Sequence, residues 1–217
     1  MRYVCLDFET VGFAKKGDKW PEYTMPWQNF PIQVAIDIVD EDGTVAHAYD
    51  TIIAGATGFC SWVHANVPIT LEQVKNEGRP FKDVIEDIAA LLQDGDCLVA
   101  HNARFDLEQV MCTTAKRLKI VSPALDRILG APRFCTMQCA YSKNAFPRRP
   151  KMATLCEHFN VELIGAHDAR ADSAALAGCV AEALRRRVML CEREPPNPAP
   201  SPPNKIARYM KEQRIEQ

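Results

Sequence analysis

No apolar stretch in this sequence is long enough to cross a membrane, so we expect neither a membrane-spanning protein nor a membrane partner. An excess of one charge is also missing, because 26 lysines and arginines stand against 28 aspartates and glutamates, a net charge of −2. This balance argues against a general binder of nucleic acid through a basic surface. The absence of a Gly-x-Gly-x-x-Gly pattern and of internal repeats argues against a dinucleotide-binding fold and a solenoid.

The nine cysteines form no recognisable disulfide framework, because their number is odd and most of them lie in apolar runs. No signal peptide is recognisable either. We therefore expect an intracellular, reducing compartment, either the cytoplasm or the nucleus. The hydrophobic fraction of 47% over 217 residues suits one sizeable core with extensions.

What the sequence does contain is a set of carboxylates in three distant segments. In the first, the apolar residues 3–6 predict a buried strand that leads into Asp7 and Glu9. Successive side chains of a strand point to opposite faces, so these two carboxylates share a face and Phe8 takes the other. Two neighbouring carboxylates can share one or two cations. The alternative is a pair of solvated charges at the exit of an edge strand.

The second segment has the pattern His-Asn-x-x-Phe-Asp and ends at Asp106. It follows a predicted short strand, and Asn102 suits the N-cap of a helix that runs to about Leu118. Asp106 then lies near the first helical turn, where the helix dipole favours a negative charge. It is a candidate metal ligand, or alternatively a residue that only compensates the dipole.

The third segment places His167 five residues before Asp172, at the start of a helix predicted to reach about Arg187. Asp168 is the expected N-cap, so His167 precedes the helix and Asp172 lies about one turn into it. Histidine as a residue type titrates near neutral pH, which suits a proton acceptor. The alternative is a surface histidine beside a capping aspartate.

In order and context, these three segments resemble the DEDDh (DnaQ-like) family of 3′→5′ exonucleases, which includes RNase T and the proofreading subunit of bacterial DNA polymerase. The resemblance covers about residues 1–190. It implies five catalytic residues, Asp7, Glu9, Asp106, His167 and Asp172, of which the four carboxylates are the metal ligands.

The resemblance also implies a role for each of these residues. Asp7 would bridge two ions, either Mg²⁺ or Mn²⁺, while Glu9 and Asp172 complete the shell of one ion and Asp106 serves the other. His167 would take a proton from the attacking water. The product would be a nucleoside 5′-monophosphate.

Candidate substrate-binding residues come from the motifs and from an unusually long segment at residues 13–31. This segment mixes lysines with aromatic residues, which suits stacking of single-stranded bases, although its aromatics can instead fold back onto the protein. His101 and Asn102 also suit the shaping of the strand-to-helix turn, and Thr10 would act through its backbone. The candidates are Thr10, Phe8, His101, Asn102, Trp20 and Trp27.

The expected fold class is α/β, with an RNase H-like mixed five-stranded sheet flanked by helices. Three consecutive strands, at about residues 2–8, 32–40 and 45–53, predict an antiparallel meander. Short strands near 97–100 and 133–136 then alternate with helices near 81–93, 103–118, 137–142 and 152–159. Such alternation predicts that the later strands are parallel.

From Pro195 the composition changes to a proline-rich run, typical of an extended spacer. We divide the chain into an exonuclease domain (1–190), a proline-rich linker (191–204) and a short C-terminal helix or disordered tail (205–217). The tail is a candidate contact for a protein partner or a second subunit.

The main functional hypothesis is an exonuclease that acts on 3′ ends of single-stranded DNA or RNA. The alternative is a proofreading or accessory nucleic-acid-binding subunit docked on a polymerase or another partner. A third hypothesis is a metal-dependent phosphatase for small phosphate esters.

Overall fold

The computed structural model describes residues 1–12, 29–138, 146 and 148–188 of the chain. Trp20, Trp27, the linker and the C-terminal tail lie outside the described residues, as does most of the helix predicted at 137–142. The domain boundaries at 190 and 204 therefore stay predictions. Within the described ranges, no helix is both long and apolar enough to span a membrane.

A mixed sheet of five strands forms the centre of the molecule. The first strand, β1 (Tyr3–Thr10), pairs antiparallel with β2 (Pro31–Val39), which pairs antiparallel with β3 (Val45–Ile52). On the other side of β1 lies β4 (Cys97–Ala100), and β5 (Arg133–Cys135) follows, both in parallel pairing. The strand order β3-β2-β1-β4-β5 confirms the predicted meander and the predicted parallel strands.

Helices surround this sheet. They are α1 (Ser61–Asn66), α2 (Leu71–Asn76), α3 (Phe81–Leu91), a π-helical segment (Arg104–Cys112) that continues into α4 (Thr113–Arg117), α5 (Pro123–Gly130), α6 (Met152–Phe159) and α7 (Ala169–Arg185). The predicted helices near 81–93, 103–118 and 152–159 and the last long helix are confirmed. The strand and helix bounds differ from the predicted ones by a few residues at most.

The sequence analysis missed α1, α2 and α5, although two of them carry a start signal. Thr70 and Gln73 form a capping box at the start of α2, with each side chain paired to the other residue's backbone N–H. Ser122 caps α5 and is followed by proline at the first helical position. At only six to eight residues, these helices give too short a periodic pattern to be recognised from periodicity alone.

The two faces of β1 pack against different layers. Val4, Leu6 and Phe8 are buried in the larger core with α3 and the π-helical segment. Cys5, on the opposite face, packs against Leu176 of α7. Small residues along the buried face of α7 let this helix approach the sheet closely. The residues of β1 that share a face with Cys5 therefore point to the α7 side.

Candidate active site

Asp7 and Glu9 lie at the end of the central strand. By the two-residue period of a strand, they continue the row of Cys5 and face the α7 layer. Both carboxylates are half-buried. Since β1 is paired on both sides, the alternative of an edge-strand exit does not apply.

Asp106 lies in the first turn of the π-helical segment that follows β4. Its side chain is 2% exposed, and one of its oxygens accepts a hydrogen bond of 3.3 Å from the backbone N–H of Phe8. This bond ties Asp106 to the strand that carries Asp7 and Glu9. Asp106 is thus buried against β1, which argues against a role limited to the helix dipole.

The prediction of Asn102 as a helix N-cap was wrong. Asn102 has a left-handed backbone with φ of 86°, and Ala103 stands at the cap position without a side-chain cap. The backbone oxygen of Asn102 accepts a 2.6 Å hydrogen bond from the N–H of Phe105. Asparagine tolerates this conformation better than most residues do, so it shapes the turn rather than capping it.

The prediction that Asp168 caps the last helix is confirmed, since its side chain accepts a 3.0 Å bond from the N–H of Arg170. His167 precedes the cap in a left-handed conformation with φ of 70°, and its side chain is exposed. Its backbone N–H donates to Asp172 Oδ2 at 2.9 Å. One turn of chain therefore brings His167 and Asp172 together.

Across the described residues, one group of possible metal ligands emerges from geometry alone. It joins Glu9 to His167 and Asp172, whose ligand atoms all lie within 4.8 Å of one another. The first and third sequence segments, more than 150 positions apart, thus meet at one place. Asp7 lies two residues before Glu9 on β1. Asp106 is held beside the same strand by the hydrogen bond from the backbone N–H of Phe8.

The carboxylates influence one another's pKa values. Burial, followed by the charges of Asp106 and Glu9, holds the pKa of Asp7 well above its usual range. Burial and the charge of Asp172 raise the pKa of Glu9 to about 8, and burial raises that of Asp106 to about 7. A divalent cation would offset this repulsion, and the oxygen donors of the four carboxylates suit a hard ion. The donor set therefore fits the metal that the sequence predicts.

We expect the metal-free protein to become less stable as pH rises from about 4 to about 8. The pKa values of Glu9 and Asp106 are about 8 and about 7 in the folded state and about 4 in the unfolded state. The folded state therefore holds more protons in this window, and its stability relative to the unfolded state falls with pH. Urea unfolding in EDTA at pH 5, 6, 7 and 8 measures this decline.

Saturating Mg²⁺ in the same titration serves as one control, because cation binding should reduce the decline. The Glu9→Gln variant in EDTA serves as a second control and should show a shallower slope. A free energy of unfolding that stays level or rises over this window in EDTA would contradict the prediction.

Gln33 of β2 is a site residue that the sequence analysis missed. It pairs with Glu9 in the β1–β2 register and is 7% exposed. Its Nε2 donates to Asp168 Oδ1 at 2.9 Å, and its Oε1 accepts from the N–H of Ala169 at 3.1 Å. The side chain thereby fastens the start of α7 to the sheet. The available signal was one amide in the otherwise apolar run Pro31–Ile36.

Replacing Gln33 by leucine should lower the free energy of unfolding by about 1–3 kcal/mol, because it leaves a buried N–H without its partner. Turnover should also fall, since the start of α7 carries Asp172 and His167 lies directly before its cap. Urea unfolding and steady-state kinetics check both effects. Gln93→Leu, at an exposed position, is the matched control and should change neither. Unchanged stability of the Gln33 variant would refute the fastening role.

The remaining predicted contacts lie around this cluster in different ways. Nδ1 of His101 lies 2.9 Å from Thr136 Oγ1, and its Nε2 lies 3.1 Å from the backbone oxygen of Pro150. Burial lowers the pKa of His101. Thr10 is buried and its Oγ1 accepts from the N–H of Gly12 at 3.2 Å. The side chain of Phe8 is 3% exposed and belongs to the core, so Phe8 reaches the site through its backbone N–H.

Trp62 of α1, which the sequence analysis did not single out, contacts the exposed ring of His167. The aromatic residues proposed to stack on bases, Trp20 and Trp27, lie outside the described part of the chain. The described part thus contributes a different tryptophan to the edge of the site.

A mixed five-stranded sheet, with two carboxylates on its central strand and two more from flanking helices, has the RNase H-like architecture and carries a candidate divalent-metal site. Residues 4–179 match the RNase T family model, described as Exonuclease, and the chain belongs to this family. The protein is therefore an enzyme of the DEDDh, DnaQ-like exonuclease type.

Solved structures show the same fold. A 3′-exonuclease described by its 3′-end-specific recognition of the histone mRNA stem-loop has a TM-score of 0.68 and 14% identity, over 85% of this chain and 82% of that one. E. coli ExoI, in a zinc-bound complex with single-stranded DNA, has a TM-score of 0.65 and 19% identity, over 87% of this chain and 42% of that one. S. pombe Pop2p, in a form with Mg²⁺ and Mn²⁺, has a TM-score of 0.64 and 13% identity, over 88% of this chain and 86% of that one. No curated protein matches the sequence significantly.

Proposed function

We propose that the protein is a two-metal-dependent 3′→5′ exonuclease that releases nucleoside 5′-monophosphates from the 3′ ends of single-stranded nucleic acid. The observation that carries this proposal is the meeting of Glu9, His167 and Asp172 within 4.8 Å, next to Asp7 and the buried Asp106. Membership of the exonuclease family supports the reaction class.

Four carboxylates would hold the ions. Asp7 would contribute to holding both ions, Glu9 and Asp172 would help to hold one of them, and Asp106 would help to hold the other. The hard oxygen donors favour Mg²⁺ or Mn²⁺, and the structure of S. pombe Pop2p in a form with these two ions supports the choice. When bound, the ions supply positive charge that stabilises the developing charge on the phosphate and on the leaving oxygen.

His167 is the general base in this proposal. Its imidazole is exposed, so a proton can leave it to solvent, and a ring nitrogen lies within 4.8 Å of the carboxylates of Glu9 and Asp172. The water oxygen forms a bond to the terminal phosphorus while His167 accepts its proton. The bond from phosphorus to the 3′ oxygen of the preceding nucleotide breaks, and that oxygen leaves as a hydroxyl after gaining a proton.

Single-stranded 3′ ends, of DNA or of RNA, are the proposed substrate. The similar structures support both, since one is described with histone mRNA and another with single-stranded DNA. The backbone of Thr10, at the end of β1, is the proposed contact to the terminal nucleotide.

The experiment uses 5′-labelled single-stranded DNA and RNA of one sequence with Mg²⁺ or Mn²⁺. We expect a ladder that shortens from the 3′ end, that disappears in EDTA and that identifies the preferred sugar. Failure to cleave either strand in the presence of metal would refute the proposed activity. Retained binding of the strands in that case would favour the accessory-subunit hypothesis.

A further inference from the structure

Trp62 is the one aromatic side chain among the large hydrophobic residues exposed in the described part of the chain, with 47% of its surface accessible. It belongs to the short helix α1, which is anchored by the buried Val63 beside it. Single exposed apolar side chains are common on protein surfaces, so the informative observation is that the indole lies against the ring of His167.

The indole contacts His167 edge to face. The two ring centroids are 4.7 Å apart and the ring planes are at 82°, which is the favoured arrangement of an aromatic pair. The same imidazole has a ring nitrogen within 4.8 Å of ligand atoms of Glu9 and Asp172. The contact with Trp62 therefore occurs while the imidazole faces the carboxylates.

The loop that carries His167 does not fix its side chain by itself. Gly165 and His167 both have left-handed backbones, and the hydrogen bond to Asp172 uses the backbone N–H of His167. That bond holds the main chain and leaves the imidazole free to turn about its own side-chain bonds. An exposed imidazole keeps several rotamers unless a neighbour restricts it.

The position of Trp62 is fixed relative to β1 by a backbone hydrogen bond. The N–H of Cys60 at the start of α1 donates to the backbone oxygen of Val11 at 3.1 Å, directly after β1. Gly12 has φ of 91°, and a side chain there would approach Cys60 Sγ to 2.4 Å, so this close approach requires glycine. The strand that carries Asp7 and Glu9 thus also sets the position of the indole.

We propose that Trp62 is a positioning residue, which holds the imidazole of His167 toward the carboxylates through the edge-to-face contact. It does not touch the reacting atoms. The inference rests on the proposed function of His167 as general base. A base held in its reactive rotamer accepts the proton without first losing rotational freedom, which raises turnover.

The first test is independent of activity and uses the metal-free full-length protein. The indole should shift the NMR resonance of the His167 Cε1–H through its ring current, and His167→Ala identifies that resonance among the five histidines. Trp62→Ala should move the resonance, whereas Trp62→Phe should preserve most of the shift. Leu118→Ala, at another exposed apolar position, is the control. An unmoved resonance in Trp62→Ala would overturn the proposal.

The second test is a double-mutant cycle on turnover of a single-stranded oligonucleotide. Trp62→Ala should lower kcat about tenfold with KM nearly unchanged, and Trp62→Phe should recover most of the loss. In the His167→Ala background, Trp62→Ala should cost nothing further, because Trp62 acts through His167. Additive losses, or a raised KM with unchanged kcat, would overturn the proposal and indicate a substrate-contacting indole.

The two tests separate the two possible failures. A wild-type protein that cleaves neither DNA nor RNA would refute the proposed exonuclease activity, while the NMR experiment would still decide whether the indole contacts the His167 ring in solution.

Discussion

Asp7→Asn is expected to abolish hydrolysis while leaving the protein folded. Asparagine keeps the size of the side chain but removes the charge that would bridge the two cations. Loss of a single electrostatic stabiliser already costs about 10²–10³-fold in other enzymes, so we expect a loss of at least about 10³-fold. Release of labelled mononucleotides at saturating Mg²⁺ measures it.

The same substitution should stabilise the metal-free protein at pH 8. Repulsion from Asp106 and Glu9, together with burial, holds the pKa of Asp7 well above its usual range, so its charged form is unfavourable in the fold. Removing the charge relieves that cost. Urea unfolding in EDTA checks the gain, and Asp83→Asn, at an exposed position on α3, is the matched control. Near-normal turnover of the Asp7 variant would refute the site assignment.

His167→Ala is expected to slow turnover by about 10²–10⁴-fold, the range that general-base catalysis contributes. Metal binding should survive, because the four carboxylates remain. Single-turnover hydrolysis measures the first effect, and calorimetric titration with Mn²⁺ measures the second. His64→Ala, at an exposed position on α1, is the matched control and should change neither.

Loss of Mn²⁺ binding in the His167 variant would show that the imidazole is a ligand. The geometry makes this outcome meaningful, because a ring nitrogen of His167 lies within 4.8 Å of ligand atoms of Glu9 and Asp172. The imidazole would lie in a similar place whether it acts as a general base or as a metal ligand, so the calorimetric titration with Mn²⁺ is needed to distinguish the two roles.

Local chemistry explains why much of the fold could be predicted. The alternation along β1 places Asp7 and Glu9 on one face whatever the rest of the chain does. Asp168 caps α7 through its own side chain, within two residues of the N–H that it accepts. The strand β4 and the helix α6 have the predicted bounds, because each is an apolar run with clear ends.

The errors also have local causes. Asn102 was predicted as a cap because asparagine favours that position, but the tight turn into the π-helical segment uses its tolerance of a left-handed backbone instead. The helix α1 has six residues and no side-chain cap, so the helix that presents Trp62 gave no signal.

By itself, the sequence determined the family, the order of the strands along the chain and the five candidate catalytic residues, since these depend on side-chain identity and short-range spacing. Only the tertiary structure decided which distant groups meet. The side chain of Gln33 bonds to Asp168 and Ala169, which lie 135 and 136 positions away along the chain. The Trp62–His167 contact joins α1 to the loop before the last helix. Such contacts depend on how sheet and helices pack in space, and no periodicity or spacing within one segment records that packing.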